Sequence, residues 1–545
     1  MSTFRDMNAS NTGETTHADA LREAMIGELR EMGAIRGDRV AEVFRAVPRH
    51  LFTPEAPLEE VYTPTAAVHV KWDEHGVPIS TVSAPELQAF MLEQADIRPG
   101  MNVLEIGSGG VNAAMMSWLA GSEGTVTTVD IDPDVTDRAS GLLDAAGYSR
   151  VTVVLADAEN GVPERAPYDR IIVTVGAWDI PPAWVEQLAT GGRIVIPLRM
   201  RGLTRSLALD RDGDHLVSRS AMICGFVKIR GAGAHQERVL PLRGVEVRLR
   251  FDDGWQSEHE LDGVLGTQRA EVWSGVTIGG RESFETLQFW LATTFPGFCR
   301  LAADADQSSV LVDPGTQWYD LAAVDGDSFA YLTTRRVGPG KSEFGAHAFG
   351  PHSPAAAEAM VEQVRVWDRD RRSGAGPDFA VWPKDTPDEA LPQGLIINKR
   401  YNRVTISWPA EAAERVAPSA GLCQCAGAIG QQDGPQEFPK FLALFRLAYE
   451  PSEVDVSAVD SRGRLGSHRV MSVFEDLVRA GAVAAARGQA AEVDDRLKRE
   501  LRRLHGERCG GLEDVELAPA QPPREINEAA VARDEGCLVE RLGRG

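Results

Sequence analysis

Short apolar runs alternate with helical stretches through the first 230 residues of the chain. The runs are rich in Val, Ile and Leu, and turns that contain glycine or acidic residues follow them. Strands of this composition are typical of a parallel sheet covered by helices on both faces, because both sides of each strand are buried. The pattern predicts strands at 102–106, 125–131, 151–155, 170–175 and 193–198, and helices at 113–119, 135–146 and 181–188.

Two further patterns flank this alternation. Apolar residues at helical spacing predict two helices between Ala20 and Val47, and Pro48 ends the pattern. Residues 1–19 are polar and rich in Ser, Thr and Asn, so we predict a disordered N-terminal tail. After the parallel strands, two runs around a turn of Asp, Arg and Gly predict a hairpin that finishes one edge of the sheet. The runs of this hairpin are 206–209 and 216–218.

The period of the pattern changes after a glycine-rich junction at 230–234. The elements expected beyond it are alternating strands at 245–251, 270–278 and 328–334, a helix at 351–371 and a last strand at 403–408. We therefore predict an α/β domain with a doubly wound, mostly parallel sheet over 20–230, and an α+β accessory domain over 231–410. Residues 411–545 are rich in Gly, Pro and Ala and predict a poorly structured extension with one helix at 470–505.

The composition narrows the classes of function. Acidic residues number 80 and basic residues 57, so the formal net charge is −23. Nucleic-acid binding depends on cationic contacts with phosphate, which makes this chain a poor candidate for it. No apolar run of about 18 residues predicts a membrane span, and the first residues lack the apolar segment of a secretory signal, so we expect a cytoplasmic protein. The six cysteines are scattered, and neither a disulfide framework nor a metal site is predicted.

The clearest chemical pattern lies at the ends of the first three predicted strands. Gly107 and Gly109 stand in a turn between a strand and a helix, where bare backbone lets a ligand approach the free amides of the helix. Asp130 ends the second strand, 21 residues after Gly109, and can accept both hydroxyls of a ribose. Asp157 follows the third strand, where the edge of an adenine would lie. These positions predict a nucleoside site, against the alternative that the glycines are only structural.

Two cofactors fit such a site. A dinucleotide requires a glycine at the third position of G-x-G-x-x-G, and Asn112 stands there. S-adenosylmethionine has no phosphates, so it does not require the third glycine of the turn. Glu105 would lie near its amino-acid moiety. We therefore predict S-adenosylmethionine as the cofactor and keep a nicotinamide-linked oxidoreductase as an alternative. The predicted cofactor-binding residues are Glu105, Gly107, Ser108, Gly109, Asp130, Ile131, Asp157 and Ala158.

Other motifs stand in order around the glycine turn. They are V-P-R-H-L-F at 47–52, T-V-S-A-P at 81–85, E-I-G-S-G-G at 105–110 and A-P-Y-D at 166–169. In these motifs residues 20–230 resemble the protein-L-isoaspartate O-methyltransferase family, which implies a Rossmann-like class I methyltransferase fold. A carboxylate acceptor is already ionised at neutral pH, so catalysis is mainly alignment. We predict Ser83, with Thr81 beside it, as the hydroxyls that align the acceptor; the alternative for Ser83 is a helix N-cap.

The sequence looks closer still to one branch of that family, the methyltransferases of the FxLD system that accompany lanthipeptide gene clusters. The resemblance extends to about residue 409, and its motifs include E-I-G-S-G-G-V-N-A-A at 105–114, G-A-W-D-I-P-P at 176–182 and F-G-A-H-A-F-G-P at 344–351. It implies that an Asp side chain of a thioether-ringed ribosomal peptide is esterified. It also implies that the ester leads to a succinimide or an isoaspartate.

Departures from the isoaspartate repair enzymes lie on the substrate side. Ile79 and Ser80 replace the usual Gly-Gln, an insert at 68–78 precedes them, and Pro64 and Val111 also depart from the pattern. These changes favour a dedicated partner, a modified precursor peptide that contains an aspartate. General isoaspartyl repair is the main alternative, and a non-catalytic peptide-binding protein is the second. The sequence leaves the target Asp and the oligomeric state open.

Overall fold

The structure, a computed structural model, describes residues 3–243, 247–253, 255, 261–280, 282–303 and 320–409. Its α-helices are α1 (Thr3–Glu31), α2 (Asp38–Ala46), α3 (Leu58–Val61), α4 (Pro85–Ala95), α5 (Val111–Ala120), α6 (Pro133–Ala145), α7 (Pro182–Glu186), α8 (Glu285–Thr294) and α9 (Ser353–Asp370). Its strands up to the junction are β1 (Val68–Trp72), β2 (Pro78–Val82), β3 (Asn102–Ile106), β4 (Thr125–Asp130), β5 (Thr152–Leu155), β6 (Tyr168–Val173), β7 (Leu188–Met200), β8 (Leu203–Asp212) and β9 (His215–Ile223). The later strands are β10 (Arg238–Arg243), β11 (Val247–Phe251), β12 (Ala270–Gly279), β13 (Phe298–Ala303), β14 (Leu321–Asp325), β15 (Ser328–Gly338), β16 (Lys341–Phe349), β17 (Asp378–Pro383), β18 (Leu395–Asn398) and β19 (Asn402–Ser407).

A large sheet of ten strands is parallel on one side and antiparallel on the other. The strand order is β18–β19–β17–β9–β8–β7–β6–β3–β4–β5, and neighbouring strands from β7 to β5 are parallel. The chain places β4 and β5 on one side of β3, and β6 and β7 on the other. In such sheets a ligand binds at the carboxyl ends of the strands where the order reverses. The topology therefore directs the site to the turns after β3 and β6.

Both faces of the parallel strands are buried, as their continuous apolar runs predict. Neighbouring residues of a strand point to opposite faces. On one face Val103 and Ile172 pack in a core with α1, α2, α4 and α5. On the other face Leu104 and Ile171 belong to a second core, which continues into the next sheet.

The second sheet has seven antiparallel strands in the order β10–β11–β13–β14–β15–β16–β12. Helix α9 buries Val361, Val364 and Trp367 in the same core as Leu207 and Leu209 of β8. The two sheets therefore share one core, and the described residues form one compact unit. A sheet that is parallel on one side, plus an additional antiparallel sheet, confirms the predicted fold class.

After the second sheet the chain returns to the large one. β17 pairs with β9 at Ala380 and Val381, and β19 and β18 follow it. The prediction that the hairpin β8–β9 finishes an edge of the sheet is therefore wrong. Residues 378–407, predicted as part of the accessory domain, also lie in the large sheet. The backbone groups along β9 need partners, and a strand's sequence carries no mark of which distant segment supplies them.

The N-terminal segment also differs from the prediction. Helix α1 begins at Thr3, so residues 1–19 are not a disordered tail over the part described. Ala18 is buried in the core with Met25 and Leu29, and Asp19 pairs with Arg22 one turn later. These contacts stabilise the helix from Ala18 onwards. The predicted extension at 411–545 and its helix lie outside the described residues.

Two absences concern the described residues only. No helix among them combines the length and the apolar character that a bilayer crossing requires. No group of three or more His, Cys, Asp or Glu side chains among them is arranged to hold a metal ion.

Candidate active site

The turn after β3 is shaped by the end of the neighbouring strand β6. Gly107 has φ +96°, and a Cβ atom there would lie 2.7 Å from Thr174 Oγ1 and 3.1 Å from Val175 Cγ1. The Thr174 hydroxyl is shared between the carbonyl oxygens of Ile106 and Gly107, at 3.0 and 3.1 Å. The protein itself therefore requires glycine at position 107.

Gly109 differs from Gly107, because no described residue lies close enough to it to require glycine. Its φ lies outside the left-handed region, and the atom nearest to an added Cβ would be Val82 Cγ2, at 3.9 Å. The space next to this bare backbone belongs to an open cleft. A ligand that lies against the chain would explain why a side chain is missing there.

The cleft beside this turn, which we call the acceptor cleft, brings together the predicted catalytic and cofactor-binding segments. It lies between the end of β2, the helices α4 and α5 and the ends of β3 and β6, and Phe226 closes one side. Among the described residues, no Lys, Arg or His lines it, and Glu105 is its one acidic residue. Its polar lining residues are Thr81, Ser83, Gln88, Glu105, Asn112 and Thr174.

The predicted catalytic hydroxyls lie side by side at the end of the β1–β2 hairpin. Thr81 is the penultimate residue of β2, and Ser83 follows the strand; both line the acceptor cleft and are half-buried. The N-cap of α4 is Ala84 and no side chain bonds to the helix there, so the alternative that Ser83 caps the helix is wrong. Neither hydroxyl has a hydrogen bond within the described part of the chain, which leaves both available to a substrate.

Glu105 is fully buried at the base of the acceptor cleft. Its Oε1 accepts a hydrogen bond from Asn112 Nδ2 at 3.0 Å, and its Oε2 accepts one from the Thr128 hydroxyl at 2.6 Å. Burial raises the pKa of Glu105 to about 7, against the two hydrogen bonds, which lower it. In the sequence, Asn112 is notable only as the residue that stands at the third glycine position of G-x-G-x-x-G. The signal for its role is a lone amide in the first turn of the apolar helix α5.

Asp130 ends β4 next to the glycine turn. Its Oδ2 accepts a hydrogen bond from the Ser108 amide at 3.1 Å, and its Oδ1 accepts one from the Asp132 amide at 2.9 Å. Burial raises the pKa of this carboxyl, and the two amide bonds oppose the rise. The bonds fix the carboxylate without using all of its lone pairs, so it can still accept ribose hydroxyls.

Asp132 is a residue that sequence reasoning missed. It caps α6 by accepting from the Asp134 amide at 3.1 Å, and both of its oxygens lie 2.8 Å from Lys71 Nζ. Arg230 Nη2 donates to it at 3.0 Å. Although burial acts in the opposite direction, the bonds from Lys71 and Arg230 lower the pKa of Asp132 to about 2. The inserted hairpin and the glycine-rich junction therefore meet beside the predicted ribose acid.

The predicted adenine-binding residues lie under the same junction. Asp157 caps the short turn at 158–160, and its Oδ2 accepts from the Ala232 amide at 2.8 Å. A Cβ atom on Gly231 would lie 2.4 Å from Asp157 Oδ2 and 2.7 Å from Ile131 Cδ1. Ala158 is buried, and its carbonyl accepts from Trp184 Nε1. The junction thus covers this end of the site. The sequence pattern of the first domain did not predict this contact.

These residues fit S-adenosylmethionine. The bare backbone at Gly109 leaves room for a ligand. Three carboxylates stand at or just after the ends of the adjacent parallel strands β3, β4 and β5, namely Glu105, Asp130 and Asp157. The acidic groups match an ammonium and ribose hydroxyls. Lys71 and Arg230, two cations that the structure brings to this end of the site, are both bonded to Asp132. The Ser108 hydroxyl, in the same turn, is buried and has no hydrogen-bond partner among the residues that the structure describes.

Comparison with known proteins gives the family. The family model of protein-L-isoaspartate(D-aspartate) O-methyltransferase matches residues 20–233. Over 222 residues the chain is 38% identical to the protein-L-isoaspartate O-methyltransferase of Methanopyrus kandleri, covering 94% of that protein and 40% of this chain. The chain belongs to this family. It is an S-adenosylmethionine-dependent carboxyl O-methyltransferase, as its motifs and its cofactor site predict.

A second relative supports the same family. The protein-L-isoaspartate O-methyltransferase of Methanococcoides burtonii is 45% identical over 175 residues, which are 32% of this chain and 82% of that protein. Among solved structures, a protein-L-isoaspartate O-methyltransferase of Plasmodium falciparum, in complex with S-adenosyl-L-homocysteine, is 18% identical. That match has a TM-score of 0.34 and covers 38% of this chain and 98% of the other.

The two glycines of the methyltransferase turn predict opposite phenotypes. Gly109→Ala is expected to keep the melting temperature of the wild type and to lose roughly tenfold or more in affinity for S-adenosylmethionine, because the new methyl group occupies ligand space. Gly107→Ala is expected to lower the melting temperature by several degrees, because the Cβ atom collides with Thr174 at a positive φ. Thermal melts and calorimetric titration measure both. Wild-type affinity in Gly109→Ala would rule out a cofactor against this backbone.

Proposed function

We propose that the protein methylates one Asp side chain of a ribosomally synthesised precursor peptide of the lanthipeptide type. The observation that carries this proposal is the second sheet. The Methanopyrus relative is 94% covered by 40% of this chain, and the family model ends at residue 233, before β10 begins. A methyltransferase of this family is therefore nearly complete without the second sheet. Structure that shares a core with the catalytic sheet but is not needed for the family's reaction suits recognition of a particular substrate.

Contacts at the carboxyl edge of the large sheet support a dedicated substrate. Asp179 accepts from the Tyr401 amide and from Asn402 Nδ2, both at 2.6 Å. Lys399 is buried, and its Nζ donates to the carbonyl oxygens of Trp178 and Arg199. Trp178 and Asp179 belong to the motif at 176–182 that resembles the lanthipeptide-associated branch. That motif holds the β18–β19 turn close to the catalytic sheet.

The proposal gives cofactor binding, catalysis and peptide binding to different parts of the chain. Residues 20–230 bind the cofactor and carry the reaction, and the second sheet, with the rest of 231–410, binds the precursor peptide. In the methyltransferase part, Glu105 takes the ammonium group of the cofactor. Asp130, beside Ser108 and Ile131, takes its ribose, while Asp157 and Ala158 take its adenine.

The reaction asks for alignment more than for proton transfer. S-adenosylmethionine supplies a methyl group activated by a sulfonium. The Asp carboxylate is ionised at neutral pH and needs no base. Ser83, with Thr81 beside it, donates to one carboxylate oxygen and leaves the other in line with the methyl group. The apolar side chains of the acceptor cleft, Val82, Met91, Val111 and Phe226, limit the water that reaches the reacting atoms.

The ester that forms is a better acyl acceptor than the carboxylate. In a flexible stretch of peptide the amide nitrogen of the following residue attacks the ester carbonyl, methanol leaves and a succinimide forms. Addition of one water opens the ring to aspartate or isoaspartate. The proposed product is therefore a methyl ester or one of these two descendants.

Mass spectrometry of a ringed precursor peptide tests the proposal. Incubation with the protein and S-adenosylmethionine is expected to add one methyl group or, after cyclisation, to remove one water. A linear isoaspartyl peptide, offered in the same assay, is expected to react at a rate at least roughly tenfold lower than that of the ringed precursor. The same precursor with its target Asp replaced by Asn is the matched control and should stay unchanged. Reaction of the linear isoaspartyl peptide alone would instead identify a general repair enzyme, the activity that the names of the relatives favour.

A further inference from the structure

The acceptor cleft must hold an anion without a cation of its own. Within the part of the chain that the structure describes, no Lys, Arg or His lines it, and its one charged side chain, Glu105, is acidic. A cation there would repel the sulfonium of the cofactor and would bind a carboxylate tightly enough to lower its nucleophilicity. The acceptor carboxylate must therefore be held by neutral hydrogen-bond donors.

Few donors in the acceptor cleft are free for that purpose. The Asn112 amide already donates to Glu105, and the Thr174 hydroxyl is engaged by the carbonyls of the glycine turn. The remaining polar lining residues are Thr81, Ser83 and Gln88. Thr81 and Ser83 are the predicted hydroxyls, and Gln88 is a residue to which neither the sequence patterns nor the family motifs gave a role.

The orientation of the Gln88 amide is decided by a buried arginine. Gln88 lies on α4 and is 4% exposed, and its Oε1 accepts a hydrogen bond from Arg49 Nη1 at 2.5 Å. A guanidinium can only donate, so the oxygen of the amide must face Arg49 and its NH2 group must face away. That NH2 group has no hydrogen-bond partner within the described part of the chain.

Arg49 also holds the segment that carries the two hydroxyls. It is 1% exposed, its Nη2 donates to the Val82 carbonyl at 3.3 Å and its Nε donates to the Val61 carbonyl at 3.0 Å. Val82 stands between Thr81 and Ser83. Each nitrogen of the guanidinium thus donates to a neutral acceptor, and the positive charge lies one residue behind the surface of the acceptor cleft.

We propose that Gln88 is a substrate-binding residue whose amide NH2 group donates to one oxygen of the acceptor carboxylate, and that Arg49 is the positioning residue that fixes this amide. The bond leaves the second oxygen free to attack, and a neutral donor lowers its nucleophilicity less than a cation would. The proposal rests on a carboxylate acceptor and not on the identity of the peptide, so it deepens the proposed function without depending on its finer part.

The test compares binding of two ligands to the protein loaded with S-adenosylhomocysteine. One ligand is an isoaspartyl peptide and the other is the same peptide with the acceptor carboxylate replaced by a carboxamide; a ringed Asp precursor and its Asn form serve as a second pair. The wild type is expected to prefer the carboxylate. Gln88→Leu, which keeps the size of the side chain and removes the donor, is expected to lose that preference and roughly 10- to 100-fold in kcat/KM. Its affinity for S-adenosylmethionine should not change.

Gln94→Leu is the matched control for loss of a buried glutamine. Gln94 lies on the same helix and is equally buried, but it bonds to the Ser206 carbonyl and hydroxyl and does not line the acceptor cleft. This variant should lower the melting temperature and retain the carboxylate preference. Retention of the preference in Gln88→Leu, its loss in Gln94→Leu or its absence in the wild type would each overturn the role of Gln88.

Arg49→Lys tests the positioning role. This variant keeps the positive charge but loses the planar guanidinium group, which donates to Gln88 and to the Val82 carbonyl at the same time. Its loss of carboxylate preference should match that of Gln88→Leu, and the double variant should be no worse than the single ones. A lower melting temperature with an intact preference would make Arg49 merely structural. If the ringed pair fails while the isoaspartyl pair behaves as expected, the peptide class is wrong and the Gln88 assignment stands.

Discussion

Replacing Asp130 with alanine is expected to weaken the binding of S-adenosylmethionine by roughly 100-fold or more. The Ser108 and Asp132 amides hold this carboxylate at the end of β4, with lone pairs left for both ribose hydroxyls. Hydrogen bonds to a charged group contribute about 1.5–3 kcal/mol each, so the loss of two is about 3–6 kcal/mol. Isothermal titration calorimetry measures the affinity, and a thermal melt records how much the turn itself loses.

Asp134→Ala is the control for removal of a charge from the same region. Asp134 stands in the first turn of α6, and its side chain is 78% exposed and pairs with Lys71 at 2.7 Å. An exposed ion pair contributes little, so the affinity for S-adenosylmethionine should stay within a few-fold of the wild type. Equal binding by Asp130→Ala and the wild type would refute the cofactor site as described.

Cofactor affinity is also expected to fall about tenfold for each unit of pH below 7. Burial raises the pKa of Glu105 to about 7, so this carboxyl is mostly protonated in the free protein at pH 6. The ammonium group of the cofactor favours the ionised carboxylate, so binding must release a proton, and affinity rises as pH rises towards 7. Above about pH 8 the ammonium group itself loses its proton, and affinity falls again. Titrations between pH 5.5 and 9 in buffers of different protonation enthalpy measure both effects.

Two variants separate Glu105 from other buried acids. Glu105→Gln should bind more weakly and should lose the dependence below pH 7. Glu86 is also buried, and burial raises its pKa to about 8, but it does not line the acceptor cleft. Glu86→Gln should therefore keep the wild-type pH profile. A flat profile in the wild type would contradict the role of Glu105.

Features that depend on local pattern were predictable from the sequence. The strand predicted at 102–106 is β3, and the glycine turn, the acid at the end of β4 and the helix α5 follow it as expected. Burial on both faces selects continuous apolar runs, and a tight turn against a neighbouring strand selects glycine at position 107. Such signals depend on residues close together in the chain, so a single sequence is enough to identify them.

Features that depend on partners far along the chain were not predictable. Gln88 and Asn112 are ordinary polar residues in their helices, and only Arg49 and Glu105, brought next to them by folding, give each amide a direction. The same holds for β17, whose pairing with β9 moves part of the predicted accessory domain into the large sheet.

The sequence by itself determined the methyltransferase class and the glycine turn after β3, because periodicity and glycine act locally. The tertiary structure alone decided which hydrogen-bond donors line the acceptor cleft, and how the junction at 230–234 covers Asp157 and Ile131. The reason is physical. A polar side chain acquires a role from the groups that surround it, and a chain of this length brings those groups together only when it folds.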